Sequence, residues 1–169
     1  MVRLFVKLSS DPEFNGWLTE FQGETDRAAG MLGPAYIDYL LSEMLVSSWA
    51  DEKVKFKGNN FGMRIKLAHA MGLIADDEAQ DLDVIRQVRN VFAHEIHGSF
   101  DSEDKVISKS KNFILARERL NAEEILRKAY GDAPLRKFFD FEIALLAYYL
   151  TRRLARVERL PAATPALWA

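Results

Sequence analysis

Between Thr25 and Trp49 apolar residues recur at intervals of three and four, and this pattern limits the fold more than any other feature of the chain. Such spacing places them along one side of an α-helix, which must then be covered by other helices. The predicted buried stripe comprises Ala28, Met31, Leu32, Ala35, Tyr39 and Met44, widened by Ile37, Leu40, Leu41 and Leu45. The pair Gly33-Pro34 is expected to kink this helix or start it afresh, because proline lacks the N–H and clashes with the preceding turn.

Further helices are predicted from capping residues and breakers. They are expected at about 61–71 after a capping Asn60, from 76 to about 96 with three acidic residues in the first turn, near 106–116, at 122–130 after a capping Asn121, and from Pro134 to about Leu160. Residues 2–8 and 53–57 could each form a short strand, but no strong alternating pattern appears. The sequence therefore predicts an all-α, single-domain helical bundle over residues 1–160 with a long C-terminal helix, followed by an irregular tail at 161–169.

Composition narrows the function classes. The chain has 169 residues and a formal net charge of -2, so no overall basic field attracts nucleic acid. It has no cysteine, which excludes disulfides and thiolate metal sites. The longest apolar run, at 141–150, is about half of the roughly 20 residues that a membrane helix needs. We expect a cytoplasmic protein without a membrane segment.

The helix predicted from residue 76 carries an unusual polar face. At about 100° per residue, Leu82, Ile85, Val88, Phe92, Ala93 and Ile96 form its core side. Arg86, Asn90, His94 and His97 are spaced by four, four and three, which makes them neighbours on one polar face. We predict this face as a binding surface, with an ordinary solvated face as the alternative.

Arg89 falls instead within the apolar arc of the same helix. Because arginine stays charged, a partly buried one needs an acceptor. We predict a structural ion pair with Asp38, with Asp26 and Glu24 as other acids on the first long helix that could serve. The alternative is that Arg89 grips a phosphate at the mouth of a groove.

Several other chemistries lack their motifs. No metal site and no cofactor are predicted, because no carboxylate completes a ligand set around His94 and His97 and no glycine-rich phosphate loop occurs. The basic residues Lys53, Lys55, Lys57, Arg64 and Lys66 surround Phe56 and Phe61 and could contact nucleic acid, although a solvated loop is the simpler interpretation. A helix-turn-helix would need an apolar residue at position 78, which is Glu78, so direct sequence-specific DNA reading is not expected.

Three stretches resemble the mannitol operon repressor family and follow one another in the order found in that family: ETDRAAGMLGPAYIDYLL, RIKLAHAMGLI and IRQVRNVFAH. The resemblance covers about residues 21–113, and Gly33-Pro34 departs from it where helix-forming residues are expected. That family resembles in turn the HEPN superfamily of helical bundles, whose motif is Arg, a polar residue and a His a few residues on. Here Arg89, Asn90 and His94 match it.

The resemblance implies two functions. The first is a non-enzymatic transcription regulator that acts through a protein partner. The second is a metal-independent RNA endonuclease, in which Arg89 and His94 act together, commonly across a homodimer interface. His94 would then be the general acid or base, and Arg89 would stabilise the charge on the phosphate.

Overall fold

The computed structural model describes residues 7–49, 60–95 and 98–161, and all regular structure in these ranges is helical. The predicted all-α helical bundle is confirmed. The α-helices within these ranges are α1 (Pro12–Gln22), α2 (Asp26–Ser48), α3 (Phe61–Ala70), α4 (Asp76–His94), α5 (Lys105–Ser108), α6 (Ile114–Ala122), α7 (Glu124–Tyr130) and α8 (Leu135–Leu154). Short 3-10 turns lie at Leu8–Ser10 and Lys109–Asn112.

Helix α8 is the centre of the bundle. Every residue from Phe138 to Tyr148 is buried, because α8 packs against α1, α2 and α6. A helix that is covered on all sides has to satisfy its few polar groups internally. Asp140 does so by accepting hydrogen bonds from Arg136 one turn earlier, and Arg136 also donates to Asp26 of α2 at 3.0 Å.

Glycine allows α2 to approach its neighbours closely. A Cβ atom on Gly30 would lie 2.3 Å from the ring of Phe92 on α4, and one on Gly33 would lie 2.9 Å from Ile143 on α8. The helix continues through Pro34 as one element from 26 to 48, so the predicted restart is not seen. The glycines are therefore explained by packing: a larger residue at either position would push the helices apart.

The Phe92 ring is also enclosed on its other side. A Cβ atom on Gly98, just after α4, would lie 2.9 Å from that ring. Phe92 itself is fully buried and also contacts the ring of Phe100. One aromatic ring, held between two glycines, thus lies in the contact between α2 and α4.

Helix α6 begins where two buried carboxyl groups meet its first turn. Asp81 of α4 accepts hydrogen bonds from the backbone N–H groups of Ile114 and Leu115, and Glu142 of α8 accepts one from Ala116, all at 2.9 Å. Unpaired N–H groups at a helix start favour a negative group, so these acids define where α6 begins. The predicted helix at 106–116 is therefore wrong: the chain forms α5, a 3-10 turn and then a new helix.

Other predicted boundaries need smaller corrections. Asn121 lies inside α6 and does not cap α7, whose N-cap is Glu123. The carboxylate of Glu123 accepts instead from the N–H groups of Leu8 and Ser9. Helix α8 ends at Leu154 rather than near Leu160. The two predicted strand segments fall on residues 2–8 and 53–57, most of which lie outside the described ranges.

Candidate functional site

Helices α3 and α4 form a groove because a tight turn makes them neighbours. Gly72 adopts a φ of +70°, which glycine allows at no steric cost, and the N–H of Leu73 donates back to the carbonyl of Ala68. Asn60 caps the start of α3 by accepting from the N–H of Met63. The predicted cap of α3 is thus confirmed. Helix α4 then runs back beside α3.

The groove has a volume of about 700 Å³. Its apolar part includes Met63, which is 50% exposed, beside Ile65 and Ala79. Its polar part is formed by side chains from both helices: Lys66, His69, Asp76, Gln80, Asp83 and Arg86. A concave surface with a mixed lining is the usual form of a binding site.

Most charges in the groove are already paired. The Nε2–H of His69 donates to a carboxylate oxygen of Asp76 at 2.5 Å, and Arg86 donates to Asp83 at 2.9 Å. Burial raises the pKa of Asp83, but hydrogen bonds from Arg86 and Gln87 outweigh it, so the pKa is lowered overall and Asp83 stays ionised. Lys66 alone of the groove's cations has no ion pair within the described part of the chain.

The structure separates the predicted binding residues into two groups. Arg86 lines the groove. Asn90 and His94 lie on the same face of α4 as Arg86 but nearer the C-terminal end of the helix, and both are exposed. His97 lies outside the described residues. Ala93, predicted on the core side, is exposed, whereas Leu82, Ile85, Val88 and Phe92 are buried as predicted.

The predicted ion pair between Arg89 and Asp38 is wrong. Asp38 instead accepts from Arg64 of α3 at 2.7 Å, because α3 packs beside α2 and brings that guanidinium closer. Of the other two candidate acids, Asp26 is bonded to Arg136, Ser99 and Phe100, and among the described residues Glu24 makes no ion pair with Arg89. Arg89 is half-buried and makes no ion pair or hydrogen bond with any other described residue.

Arg89 and His94 are not brought together within one chain. They lie five residues apart on the regular helix α4, so their side chains diverge by about 140°. No group of three potential ligands among the described residues could hold a metal ion. Lys53, Lys55 and Lys57 lie outside those residues, while Arg64 is paired and Phe61 is buried.

Sequence reasoning missed most of the groove. His69 had no predicted role, and Asp76 was seen only as a helix start signal. The short connection between α3 and α4 was the signal that could have placed them together, since helices joined by a few residues pack as neighbours. The argument from position 78 assumed that a glutamate there would not be buried, but Glu78 is 1% exposed and pairs with the partly exposed Arg153 of α8. The absence of direct DNA reading stays a prediction.

The chain matches no protein-family model, no curated protein and no solved structure. Its class therefore follows from its own architecture: an all-α bundle with an open groove between two neighbouring helices. Within the described ranges, every helix is too short or too polar to cross a bilayer.

Proposed function

We propose that the chain is a non-enzymatic transcription regulator, similar in kind to the mannitol operon repressors, that acts by holding a protein partner in the groove between α3 and α4. The observation that carries the proposal is the groove itself, with exposed Met63 next to polar groups on both helices. A side chain such as methionine adapts to an apolar residue of a partner, and polar groups around it fix the orientation. The proposal places the protein in the cytoplasm.

The charge pattern supports a protein partner over a nucleic acid. Affinity for nucleic acid depends on cations that neutralise phosphates. In this groove Arg86 is paired with Asp83, and His69 is bonded to Asp76. With Lys66 the one cation of the groove that has no ion pair among the described residues, this balance favours a partner that presents mixed polar and apolar groups.

The rival proposal is the RNA endonuclease, and one observation supports it. The guanidinium of Arg89 has no carboxylate partner within the described residues, so its charge is available to an anion. His94 is exposed at the end of α4 and could exchange protons with water and substrate. Because the two side chains diverge on one helix, cleavage would need a second copy of the chain to combine them.

Transcript profiling in the native cell tests the regulator. A strain lacking the gene should show changed transcript levels, wild-type protein should restore them, and Met63→Glu should fail because it places a charge in the groove. Ile125→Glu is the matched control, since Ile125 is 58% exposed on α7 and lies outside the groove. Restoration by both variants, or by neither, would contradict a role for the groove.

An RNA assay tests the rival. The purified protein is incubated with mixed RNA and EDTA beside His94→Ala. We expect intact RNA in both samples. Cleavage by the wild type that His94→Ala lacks would establish the endonuclease and overturn the proposal of a non-enzymatic regulator.

A further inference from the structure

The outward side of α2 carries a row of uncharged residues, most of which are exposed. Leu32 and Tyr39 are 56% and 55% exposed, and Val46 is 39% exposed. Smaller residues precede and separate these three along the helix. The spacings in the resulting row are three and four, as in helices that pack along each other. The row, here called the outer seam, consists of Ala28, Leu32, Ala35, Tyr39, Ser42 and Val46.

The outer seam is separate from the face that builds the core. Ile37, Leu41 and Met44 are fully buried on the opposite side of α2, so the sequence expectation that Leu32 and Tyr39 belong to the core is wrong. A helix that is apolar on all sides normally has neighbours on all sides. On α2 the flanks are occupied: Tyr36 contacts the ring of Trp17 on α1, and Asp38 pairs with Arg64 on α3. On the ridge between these two flanks, Leu32, Ala35, Tyr39 and Val46 are exposed.

The sizes of the seam residues alternate regularly. Large side chains occupy one of the two repeat positions, and alanine or serine occupies the other. In a parallel pair of identical helices, equal positions meet, so large would oppose large and small would oppose small. In an antiparallel pair the two positions meet each other, and every layer then combines one large with one small residue.

We propose that two copies of this chain associate through α2, antiparallel, along the outer seam. In one register, every layer of the pair combines a large residue with a small one. The two-fold axis of this register passes near residue 37. In the same register, Leu32 lies opposite the partner subunit's Ser42, Ala35 opposite the partner subunit's Tyr39, and Ala28 opposite the partner subunit's Val46. A face that is complementary to itself in this way is what a two-fold dimer requires.

The size of the seam determines how strong this dimer is. The helix is about 34 Å long and about 10 Å wide, so two copies bury on the order of 700–1,000 Å², close to the lower limit of specific interfaces. We expect a reversible dimer with a dissociation constant in the micromolar range, roughly 1–100 μM. Association should therefore depend on protein concentration.

Sedimentation velocity over a range of concentrations tests the association. The wild type should shift from monomer to dimer, and Tyr39→Glu should remain monomeric while keeping its helical circular dichroism, since Tyr39 is exposed. Ile125→Glu, an equally exposed position on α7, should dimerise like the wild type. A wild type that stays monomeric up to about 1 mM, or a Tyr39→Glu variant that dimerises normally, overturns the proposal.

Cysteine cross-linking tests the register, and the chain has no native cysteine to interfere. Ala28→Cys mixed with Val46→Cys should give a disulfide-linked dimer under mild oxidation. Ala28→Cys alone should not, because in this register its two copies lie about 27 Å apart, far beyond the reach of a disulfide. Efficient cross-linking of Ala28→Cys alone would indicate a parallel pair and contradict the antiparallel seam.

Discussion

Arg89 carries a charge that no acid balances within the described part of the chain, although it lies half-buried on α4. Its place beside the apolar arc could be predicted from helical spacing, but its partner could not. Which acid meets which arginine depends on how α3 sits against α2, and that packing brings Arg64 to Asp38. Spacing within one helix was enough to predict the polar face of Arg86, Asn90 and His94. The groove could not be predicted in this way, because it depends on how α3 packs against α4.

Two alanine variants should therefore differ in stability. Arg64→Ala leaves the mostly buried Asp38 carboxylate without its partner and should cost about 2 kcal/mol, as for other charged hydrogen bonds. Arg89→Ala removes no ion pair and should change the free energy of unfolding by less than about 1 kcal/mol. Urea denaturation of both variants measures this. A larger loss for Arg89→Ala than for Arg64→Ala would show that Arg89 has a structural partner after all.

Helix boundaries could be predicted where residues of the same helix determine them. Thr25 and Asn60 cap α2 and α3 through bonds within their own first turns. Helix α6 could not be placed, because the carboxyl groups that start it come from α4 and α8. Helix α1 was missed, although Asp11 followed by Pro12 is a common start signal.

Gly30→Ala tests the close packing of α2 on α4. The new methyl group would overlap the Phe92 ring and should destabilise the protein by about 1–3 kcal/mol. Gly16→Ala is the matched control: a Cβ there meets nothing within 4 Å, and removing a helical glycine should stabilise by about 0.5–1 kcal/mol. Thermal unfolding compares the two variants. A Gly30→Ala protein as stable as Gly16→Ala would mean that the two helices can separate without cost.

At the scale of the whole molecule, one pair of acids joins three helices. Burial raises the pKa of Glu142 well above its ordinary value, and that of Asp81 to about 6. The Oε1 atom of Glu142 is buried and has no hydrogen-bond donor facing it among the described residues. A proton on it lets Glu142 donate to Asp81, which in turn accepts from the first turn of α6. The two carboxyl groups are coupled, and burial favours the protonated form of Glu142 in the folded state.

This pair predicts an unusual pH dependence. Because the folded pKa values lie above the unfolded ones, the folded state binds more protons, and the stability that this adds is lost as pH rises. For Asp81 the loss falls between about pH 4 and about pH 6, and for Glu142 it continues to higher pH. Glu142→Gln keeps both hydrogen bonds without a titrating proton. It should match the wild type near about pH 5 and exceed it near about pH 8.

Chemical denaturation at several pH values measures this effect. Glu142→Ala serves as the control, since it leaves the N–H of Ala116 without its acceptor and removes the donor that Glu142 offers to Asp81, and it should be less stable at every pH. A glutamine variant that is less stable than the wild type at high pH would mean that Glu142 is ionised in the native protein.

The ring of Phe92 between Gly30 and Gly98 has a mechanical consequence. Close-packed interiors leave no room for independent sliding, so a turn or translation of α4 has to move α2 with it. The groove lies on α4 and the outer seam on α2. The Phe92 ring thus lies in the contact between the two helices that carry these surfaces.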